Sequence, residues 1–474
     1  MFNLPILLLL LPILGCFFVM TARKDAENAY HISLLTVGSG IFVILRLFAE
    51  LNLQQTERQF IHRLDWLSES NIYLSFGFDT FSLMLLFGVY VAFLIGFVGL
   101  QKNSRKNKSL LAWGLYFLWN MTCFLSANDM ISFYIFFAAM PVPIFMLVGN
   151  FGNIKKSVNL YLFFIFNFAA ILIFLCALLI VYKFYHGNLP LQEIALINMP
   201  KHAAEIVWSG VCLSLLARIP IWPFHYWISA LASNIKNPLV YIITCLLPLS
   251  GLYGFMRFWQ VTIAESVRPY VWGLVIFCLI TIIFITLIGI AHKDFLYKLF
   301  AYMTIYYLLF LLAEVLLSFV LLADTLQMNI AYSLFIFLLV TSSLIVFDLR
   351  MEQECIDKKC DYRGILAHMP KRAKIFTLFI LVALGLPISS MFWNNFIIIS
   401  ALFNFSFVIG TMVMFAILLI TVSMLFELYI MRDLKITKSA EEQIEDISQY
   451  NLAFFAAILG VILLSFFDPL WFVL

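Results

Sequence analysis

The side chains best suited to chemistry are gathered in the short stretch 217–227, which carries Arg218, Pro220, Pro223 and His225 between two long apolar runs. Proline lacks a backbone N–H and interrupts helical hydrogen bonding, so the two prolines predict a broken helix. Broken backbone at membrane depth is tolerated only where it is buried in protein or lines a water-filled cavity. An arginine and a histidine beside such a break predict a pathway for ions or protons.

The composition places this stretch inside a membrane protein. Of the 474 residues, 64% are hydrophobic and 12% are charged, and the mean hydropathy is +1.01. A soluble domain averages about 45–50% apolar and about 25% charged residues, whereas a membrane-spanning helix needs about 20 apolar residues. Fourteen segments are apolar enough to be such spans: 4–20, 33–51, 79–100, 109–126, 129–149, 157–183, 207–227, 238–259, 269–291, 294–316, 318–347, 374–402, 405–430 and 451–470. The sequence therefore predicts an all-α polytopic protein with about 14 transmembrane helices, the first of which is a span and not a cleaved signal peptide.

The distribution of the 29 lysines and arginines predicts the orientation of these spans. When Lys183, Arg257 and Lys374 at the span ends are counted with the adjoining loops, twenty lie in loops after odd-numbered spans and six in loops after even-numbered spans, while Arg46, Arg218 and Lys298 lie inside spans. Cytoplasmic loops carry the excess of positive charge, so both termini are expected on the non-cytoplasmic side. Because the charges are scattered over many short loops, we expect the lipid membrane as a partner and no nucleic acid.

Recognisable cofactor motifs are missing from the sequence. It contains no GxGxxG, Walker loop, HExxH or haem-attachment pattern. Six of the eight cysteines lie in or beside apolar spans, where cysteine behaves as a small hydrophobe, and Cys355 and Cys360 are not in CxxC spacing. We therefore expect the chain to bind no redox cofactor, nucleotide or metal of its own.

A second proline-interrupted span lies in the later half of the chain. Pro387 interrupts the span 374–402, as Pro220 and Pro223 interrupt the span 207–227. Broken helices in corresponding halves are typical of transporters built from inverted repeats. We therefore expect a single transmembrane domain over residues 1–474, with N-terminal helices (1–75), a first repeat region (76–260), a second repeat region (261–430) and a C-terminal loop and helix (431–474).

Five stretches, in this order, resemble one family: the antiporter-like membrane subunits of respiratory NADH:quinone oxidoreductase (complex I), and most of all subunit M, which is chain 4 in mitochondria. They are Gly77-Phe78-Asp79-Thr80-Phe81-Ser82-Leu83, Asp129 to Pro143, the P-x-x-P-F-H segment Arg218 to Trp227, Ala291 to Tyr302, and Tyr362 to Phe392. The third stretch is the most specific of the five.

The resemblance implies a fold with fourteen helices and two inverted five-helix repeats. It implies a buried row of charges in which each group shifts the pKa of the next, so that quinone reduction elsewhere drives proton transfer. It further implies other membrane-arm subunits as partners, and NADH, FMN, iron–sulfur clusters and quinone in those partner subunits. The expected location is the bacterial inner (plasma) membrane or the mitochondrial inner membrane.

The charged row that the resemblance implies is substituted at nearly every position. The acid of the fifth helix falls on Ala138, the lysine of the seventh on Arg218, the lysine of the eighth on Leu249, the histidine of the tenth on Tyr307 and the acid of the twelfth on Asn395. Neither alanine nor leucine titrates, and arginine hardly ever releases its proton. These substitutions indicate that the row has lost its charges of both signs.

Arg218 is then a buried cation without its matched acid. An unpaired charge in a dry interior costs several kcal/mol. We expect Arg218 to contact another carboxylate, a water-filled cavity, or backbone carbonyls freed by Pro220 and Pro223.

Four further ionisable residues match family stretches, and each has two interpretations. His225 is either a proton relay or a histidine bonded to broken backbone. Asp79 and Asp129 match family positions at helix starts, where capping competes with transport as the role. Lys298 either forms an interfacial pair with Asp294 at four-residue spacing or takes part in transport.

Two glutamates within apolar runs also have two interpretations each. Glu314 is either a displaced acid of the transport row or the end of a span. Glu427 lies either inside the thirteenth span or near its end, where a long side chain reaches the interface.

Four functions fit these observations. The first is a proton-translocating membrane-arm subunit of a complex I-type enzyme. The second is a structural subunit that keeps the fold but has lost the pump. The third is a subunit of a related cation/proton antiporter or hydrogenase complex, and the fourth is a small-molecule carrier that reuses the cavity.

Overall fold

The computed structural model of the chain describes residues 4–22, 26–52, 55, 57–67, 72–151, 157–185, 190–191, 199–222, 225, 227, 235–262, 268–317, 323–358, 366, 369–385, 387, 389–433 and 449–464.

Seventeen α-helices and one two-stranded sheet make up most of these residues. In chain order they are α1 (Leu4–Thr21), α2 (Ala26–Glu50), β1 (Gln59–Leu67), β2 (Ile72–Phe78), α3 (Thr80–Val98), α4 (Lys102–Arg105), α5 (Lys108–Ser126), α6 (Met130–Ala139), α7 (Pro141–Phe151), α8 (Ser157–Tyr185), α9 (Lys201–Leu216), α10 (Pro238–Thr262), α11 (Arg268–Ala291), α12 (Phe295–Leu317), α13 (Ala323–Lys358), α14 (Pro370–Ala383), α15 (Ser390–Phe405), α16 (Phe407–Asp433) and α17 (Gln449–Leu464).

The helical class of the fold is confirmed. Ten helical segments of the described residues, α6 and α7 counted together, are long and apolar enough to cross a membrane. The total of fourteen spans, the division into repeat regions and the side on which the termini lie stay predictions.

The centre of the molecule is formed by α10, α12 and α13. The apolar cores of these three helices are entirely buried, whereas those of α1, α8 and α11 are only 33%, 28% and 39% buried. A helix that is apolar all round is stable either in a protein interior or against lipid. The polar side chains on the three central helices are therefore the ones that must find partners inside the protein.

The chain interrupts its helices at three places near this centre. As predicted, a turn follows α9 at residues 217–220, and α14 and α15 are separated by residues 384–389. Gly385 has φ +75° in the second break, a conformation that glycine adopts without steric cost. The span predicted at 129–149 is also broken, between α6 and α7. That third break was not predicted.

A β-hairpin is the other departure from the all-α prediction. Strands β1 and β2 pair antiparallel, with His62 opposite Phe76 and Arg63 opposite Ser75, between the spans predicted at 33–51 and 79–100. The residue before β1 fixes this hairpin to the helices. Arg58 is buried and donates to the carbonyl oxygens of Ser126 (2.9 Å) and Ala127.

Candidate functional site at the broken helices

Arg218 lies in the turn that follows α9 and is fully buried. Its Nη1 donates to the Ser250 hydroxyl over 3.2 Å, and its Nη2 donates to the carbonyl oxygen of Phe137. The guanidinium carbon stands 3.4 Å from the centroid of the Phe137 ring, in cation–π geometry, and Met140 Sδ lies 3.7 Å from Nη1. Within the described residues these partners include no carboxylate, and Arg218 Nε has no partner.

The Phe137 carbonyl is free to accept from Arg218 because of the residue four positions later. In a continuous helix that carbonyl would accept from the N–H of residue 141, but Pro141 has none. The third break thus creates the acceptor. The expected kind of partner, a carbonyl freed by proline, is present, but it belongs to Phe137 and not to the segment of Pro220; Pro223 lies outside the described residues.

Two positions at which the resemblance implies charge hold side chains that cannot titrate. Ala138 is half-buried on α6, between the Phe137 and Met140 contacts of Arg218. Leu249 is fully buried on α10, next to Ser250. The ionic groups that the resemblance implies in the first half are thus replaced by one arginine with neutral ligands.

Two backbone groups at the break after α9 are hydrogen-bonded to side chains other than that of Arg218. Trp227 is buried, and its indole N–H donates to the Ala217 carbonyl over 3.2 Å. The N–H of Trp222, a half-exposed residue, donates to Thr281 Oγ1 on α11 over 3.0 Å. These contacts satisfy the Ala217 carbonyl and the Trp222 N–H at the break.

His225 lies beside the same break and packs edge-on against the Phe284 ring at 5.3 Å. Its Nδ1 is buried and has no hydrogen-bond partner among the described residues. Both interpretations of His225, as a proton relay and as a histidine bonded to broken backbone, stay predictions.

The route from Arg218 towards the second half is apolar and narrow. Tyr307, on α12, donates its hydroxyl to the Cys245 carbonyl over 3.2 Å. The space between Tyr307 and the α9 break is narrow, and the groups that line it are mostly apolar, with two hydroxyl groups among them: Pro220, Cys245, Pro248, Phe300, Met303, Thr304 and Tyr307. A proton cannot cross such a gap without either water or a chain of polar groups.

Asn395 lies on α15 next to the second break. Its Nδ2 donates to the Tyr306 hydroxyl over 2.8 Å, while its Oδ1 is buried without a partner among the described residues. Tyr302, one turn before Tyr306, donates to the Ala383 carbonyl over 2.9 Å. Residue 387, four positions after Ala383, is a proline and has no N–H to offer. At both places, a carbonyl at or near the end of a helix accepts a hydrogen bond from a side chain of another segment.

Lys298 and Glu427 form a buried ion pair that joins α12 to α16. Lys298 Nζ lies 3.2 Å from Glu427 Oε1, and the side chains are only 4% and 12% exposed. Asp294, the partner expected at four-residue spacing, is exposed, so the buried lysine is paired across helices instead. Glu314 is also buried, in the last turn of α12.

Asp79 is the N-cap of α3 and forms a capping box with Ser82. Both of its carboxylate oxygens also accept from Arg257 Nη2, at 2.7 and 2.6 Å. Burial raises the pKa of the Asp79 carboxyl, but the positive charges of Arg257 and Arg58 outweigh burial and bring this pKa to about 2. Asp79 is therefore ionised and tightly paired at neutral pH.

Asp129 is the N-cap of α6 and ties that helix to the hairpin. Its carboxylate accepts from the Ser132 N–H at 2.7 Å, and from the N–H and hydroxyl of Ser75 at 2.6 and 2.8 Å. Both aspartates of the family stretches thus hold helix starts in place. A transport role for either one stays a prediction.

Several residues that shape the site carry no recognisable signal in the sequence. Arg58 donates to the Tyr253 hydroxyl over 2.8 Å, and that hydroxyl donates to the Leu125 carbonyl over 2.5 Å. Arg257, a loop cation in the sequence, is the partner of Asp79 in the structure. The prolines at 141 and 143 are the one visible signal for the third break.

The arrangement of long apolar helices around two proline breaks defines an antiporter-like membrane fold. A chain of respiratory complex I from Thermus thermophilus has the same fold, with a TM-score of 0.86 over 99% of this chain and 96% of that chain, at 18% identity. A chain of the Mrp complex from Dietzia sp. matches with a TM-score of 0.80, over 97% of this chain and 50% of that chain, at 14% identity.

Sequence similarity defines the family. The model of the NADH:quinone oxidoreductase/Mrp antiporter transmembrane family matches residues 127–423, and the chain belongs to this family. The match confirms the predicted family and contains four of the five stretches.

Two relatives of known family are similar to this chain, one over about half of its length and one over nearly all of it. NADH-ubiquinone oxidoreductase chain 4 of Chondrus crispus is 26% identical over 54% of this chain, and the match spans about half of that relative (53%). NADH-quinone oxidoreductase subunit M of Rickettsia typhi is 23% identical over 98% of this chain and 95% of its own length.

Proposed function

We propose that this chain is an antiporter-like subunit in the membrane arm of a complex I-type NADH:quinone oxidoreductase, and that it fills its place there without conducting protons along its midplane. The similarity to a subunit M along nearly its whole length supports the first half of the proposal. The second half rests on the chemistry of the residues at the breaks.

The observation that carries the second half is the set of partners around Arg218. Among the described residues, the guanidinium is held by a carbonyl, a hydroxyl and an aromatic ring and contacts no acid with which to exchange a proton, and arginine retains its own proton. Leu249 and the narrow gap at Tyr307 then separate it from the second half. Charge movement at one of these positions has no titrating neighbour to drive.

The remaining parts of the proposal follow from the family. The partners are the other membrane-arm subunits, and NADH, FMN, iron–sulfur clusters and quinone are bound by partner subunits. Among the described residues, no group of three or more His, Cys, Asp and Glu side chains is placed to hold a metal. The location is the bacterial inner (plasma) membrane or the mitochondrial inner membrane, with both termini on the non-cytoplasmic side.

One observation favours the rival function, proton translocation coupled to quinone reduction. Lys298 and Glu427 are a lysine–carboxylate pair in a mostly buried setting, which is the chemistry that a charge-driven proton relay needs. In that rival, the relay has moved away from Tyr307 to another face of α12.

Co-purification tests the host complex. The tagged chain, solubilised in mild detergent, is expected to bring down NADH-oxidising hydrophilic subunits with their flavin and iron–sulfur absorbance. Recovery of only cation-antiporter subunits, or of hydrogenase subunits, would replace complex I by one of the related complexes.

Proton counting tests the role of the chain within that complex. The purified complex is reconstituted into vesicles, and the protons moved per NADH oxidised are compared for wild type and Arg218→Met. Methionine removes the charge and keeps most of the volume. An unchanged ratio is expected, whereas a lower ratio at unchanged NADH oxidation would give Arg218 a place in a proton path.

A further inference from the structure

Two arginines from different elements meet at the end of α3. Arg350, on α13, donates from Nε to the carbonyl oxygen of Gly99 and from Nη2 to that of Leu100, each over 2.7 Å. Arg105, at the end of α4, donates from Nε to the same Leu100 oxygen over 3.0 Å and from Nη2 to the Val98 oxygen over 3.3 Å. Because one carbonyl oxygen accepts from both side chains, the two guanidinium groups are neighbours.

Capping of α3 explains only part of this arrangement. The last carbonyls of a helix lack partners within the helix, and that end carries about half of an elementary negative charge. Two guanidinium groups bring two full positive charges to it, so most of their charge is not offset by the helix. Within the described residues neither arginine contacts a carboxylate; Glu354, one turn after Arg350 on α13, contacts Arg372 instead over 3.0 Å. Two adjacent like charges repel each other, and a bound anion would remove this repulsion.

Each arginine keeps a donor for such an anion. Nη1 of Arg105 and Nη1 of Arg350 have no partner among the described residues, and both side chains are only partly buried. The guanidinium carbon of Arg105 lies 4.7 Å from the centroid of the Tyr30 ring, which supports the group from one side. Lys102 and Lys106 flank Arg105 in the sequence and are exposed. Arginine donors in a planar fork match the oxygen atoms of a phosphate group.

The site lies where an apolar helix leaves the membrane. α3 is apolar enough to span the hydrocarbon core, and the phosphates of phospholipids lie just beyond that core. The end of α1 adjoins the site, because Lys108, the first residue of α5, donates to the Ala22 carbonyl there. Phe18 and Met20 on that end are 54% and 69% exposed and offer apolar surface to acyl chains. The distribution of lysine and arginine predicts that this end of α3 is cytoplasmic, and acidic lipids of the cytoplasmic leaflet attract basic segments.

We propose that Arg105 and Arg350 bind a phosphate group at the predicted cytoplasmic end of α3, and that an acidic phospholipid supplies it. Each Nη1 donates to a phosphate oxygen, and Lys102 and Lys106 attract the lipid from a longer distance. The bound phosphate offsets the repulsion between α4 and α13 and holds these two segments together. A free phosphate ion has the same oxygen atoms, so the experiment must separate the two sources. The site goes beyond the proposed function and uses none of its residues.

Modification of arginines in the intact complex tests the site. The purified complex is delipidated in detergent until a phosphorus assay shows that lipid has been removed, and it is then treated with phenylglyoxal. The modified fractions of Arg105 and Arg350 are measured by mass spectrometry with phosphatidylglycerol, phosphatidylcholine or inorganic phosphate added. Protection of both by phosphatidylglycerol alone is expected, while the exposed Arg46, which pairs with Glu50, is modified equally throughout.

Each other outcome would contradict a stated part of the proposal. Equal protection by inorganic phosphate would replace the lipid by a free phosphate ion. Equal protection by phosphatidylcholine would show that any lipid covers the arginines and that no acidic headgroup is recognised. Equal modification of Arg105 and Arg350 under all conditions would overturn the site. So would a lack of modification in the delipidated complex, since the two guanidinium groups would then be closed to a ligand.

A matched pair of variants separates a binding site from a helix cap. Arg350→Gln keeps an N–H donor for the α3 carbonyls but loses the charge, whereas Arg46→Gln removes an arginine outside the site. The phosphatidylglycerol concentration that half-protects Arg105 is expected to rise about tenfold in Arg350→Gln, because a charge-assisted hydrogen bond is lost, and to match wild type in Arg46→Gln. Thermal unfolding checks that both variants are folded. An unchanged concentration in folded Arg350→Gln would mean that Arg350 only caps α3. Neither measurement counts protons or involves Arg218, so this proposal and the proposed function fail independently.

Discussion

Restoring a carboxylate at residue 138 is the most informative change in the first half. The resemblance puts an acid at Ala138, and its neighbours Phe137 and Met140 both contact the Arg218 guanidinium. The resemblance pairs this acid with the cation at residue 218, so we expect a glutamate at residue 138 to reach the Arg218 guanidinium. Because Arg218 has only neutral partners among the described residues, the new carboxylate is expected to stabilise the protein through Arg218 alone.

The magnitude follows from the separation that a contact pair adopts. Two unit charges about 4 Å apart attract by about 4 kcal/mol at an effective dielectric constant of about 20. Desolvation of the new carboxylate offsets part of this gain. We expect Ala138→Glu to be more stable than Ala138→Gln by about 2 kcal/mol. Glutamine adds nearly the same volume without the charge, so the comparison isolates the contribution of charge pairing.

A double-mutant cycle isolates the pairing. The free energy of unfolding is measured by titration with SDS in mixed micelles for both variants, first in wild type and then with Arg218→Met. With methionine at residue 218, the glutamate becomes an unpaired, half-buried acid, and the glutamate variant is expected to be the less stable of the two. If Ala138→Glu were less stable than Ala138→Gln in the presence of Arg218, the account of an orphaned cation would be refuted.

Two further predictions concern the supports of the site. Pro141→Ala restores an N–H that competes with Arg218 for the Phe137 carbonyl; relative to the control Pro143→Ala, the unfolding free energy should fall by about 1 kcal/mol, and an equal fall with Arg218→Met present would disprove the link. Asp79→Asn leaves Arg257 without its carboxylate and should cost about 2 kcal/mol at pH 7, given a pKa of about 2 against an ordinary 3.8. Because the pKa of Asp79 is depressed on folding, this stabilisation is present above about pH 4 and is lost as the pH falls towards 2; a loss that persists at pH 2 would contradict the pairing.

The sequence was enough for the features that rest on local chemistry. Prolines at 220 and 387 predicted two of the helix breaks because a missing N–H acts on the turn that contains it. The caps at Asp79 and Asp129 were one of the two roles considered, since a short acid at a helix start meets free N–H groups. The five motifs identified the family for the same reason: each is a continuous stretch of chain.

Features that depend on distant pairing could not be predicted in this way. Lys298 was matched to Asp294 by spacing, but in the folded chain its partner is Glu427, which is brought there by the packing of α12 on α16. The Arg58 contacts that fix the hairpin come from helices far along the chain. The Arg218 acceptor needed two facts together: that Pro141 frees a carbonyl, and that α6 lies beside the α9 break.

The central claim is that no proton passes along the midplane of this chain. It is tested most directly by counting protons moved per NADH oxidised in vesicles that contain the complex with Arg218→Met and Tyr307→Phe combined, which removes a polar group on each side of the narrow gap. The account predicts the wild-type ratio and the wild-type rate of NADH oxidation. A lower ratio at the same rate of oxidation would contradict it.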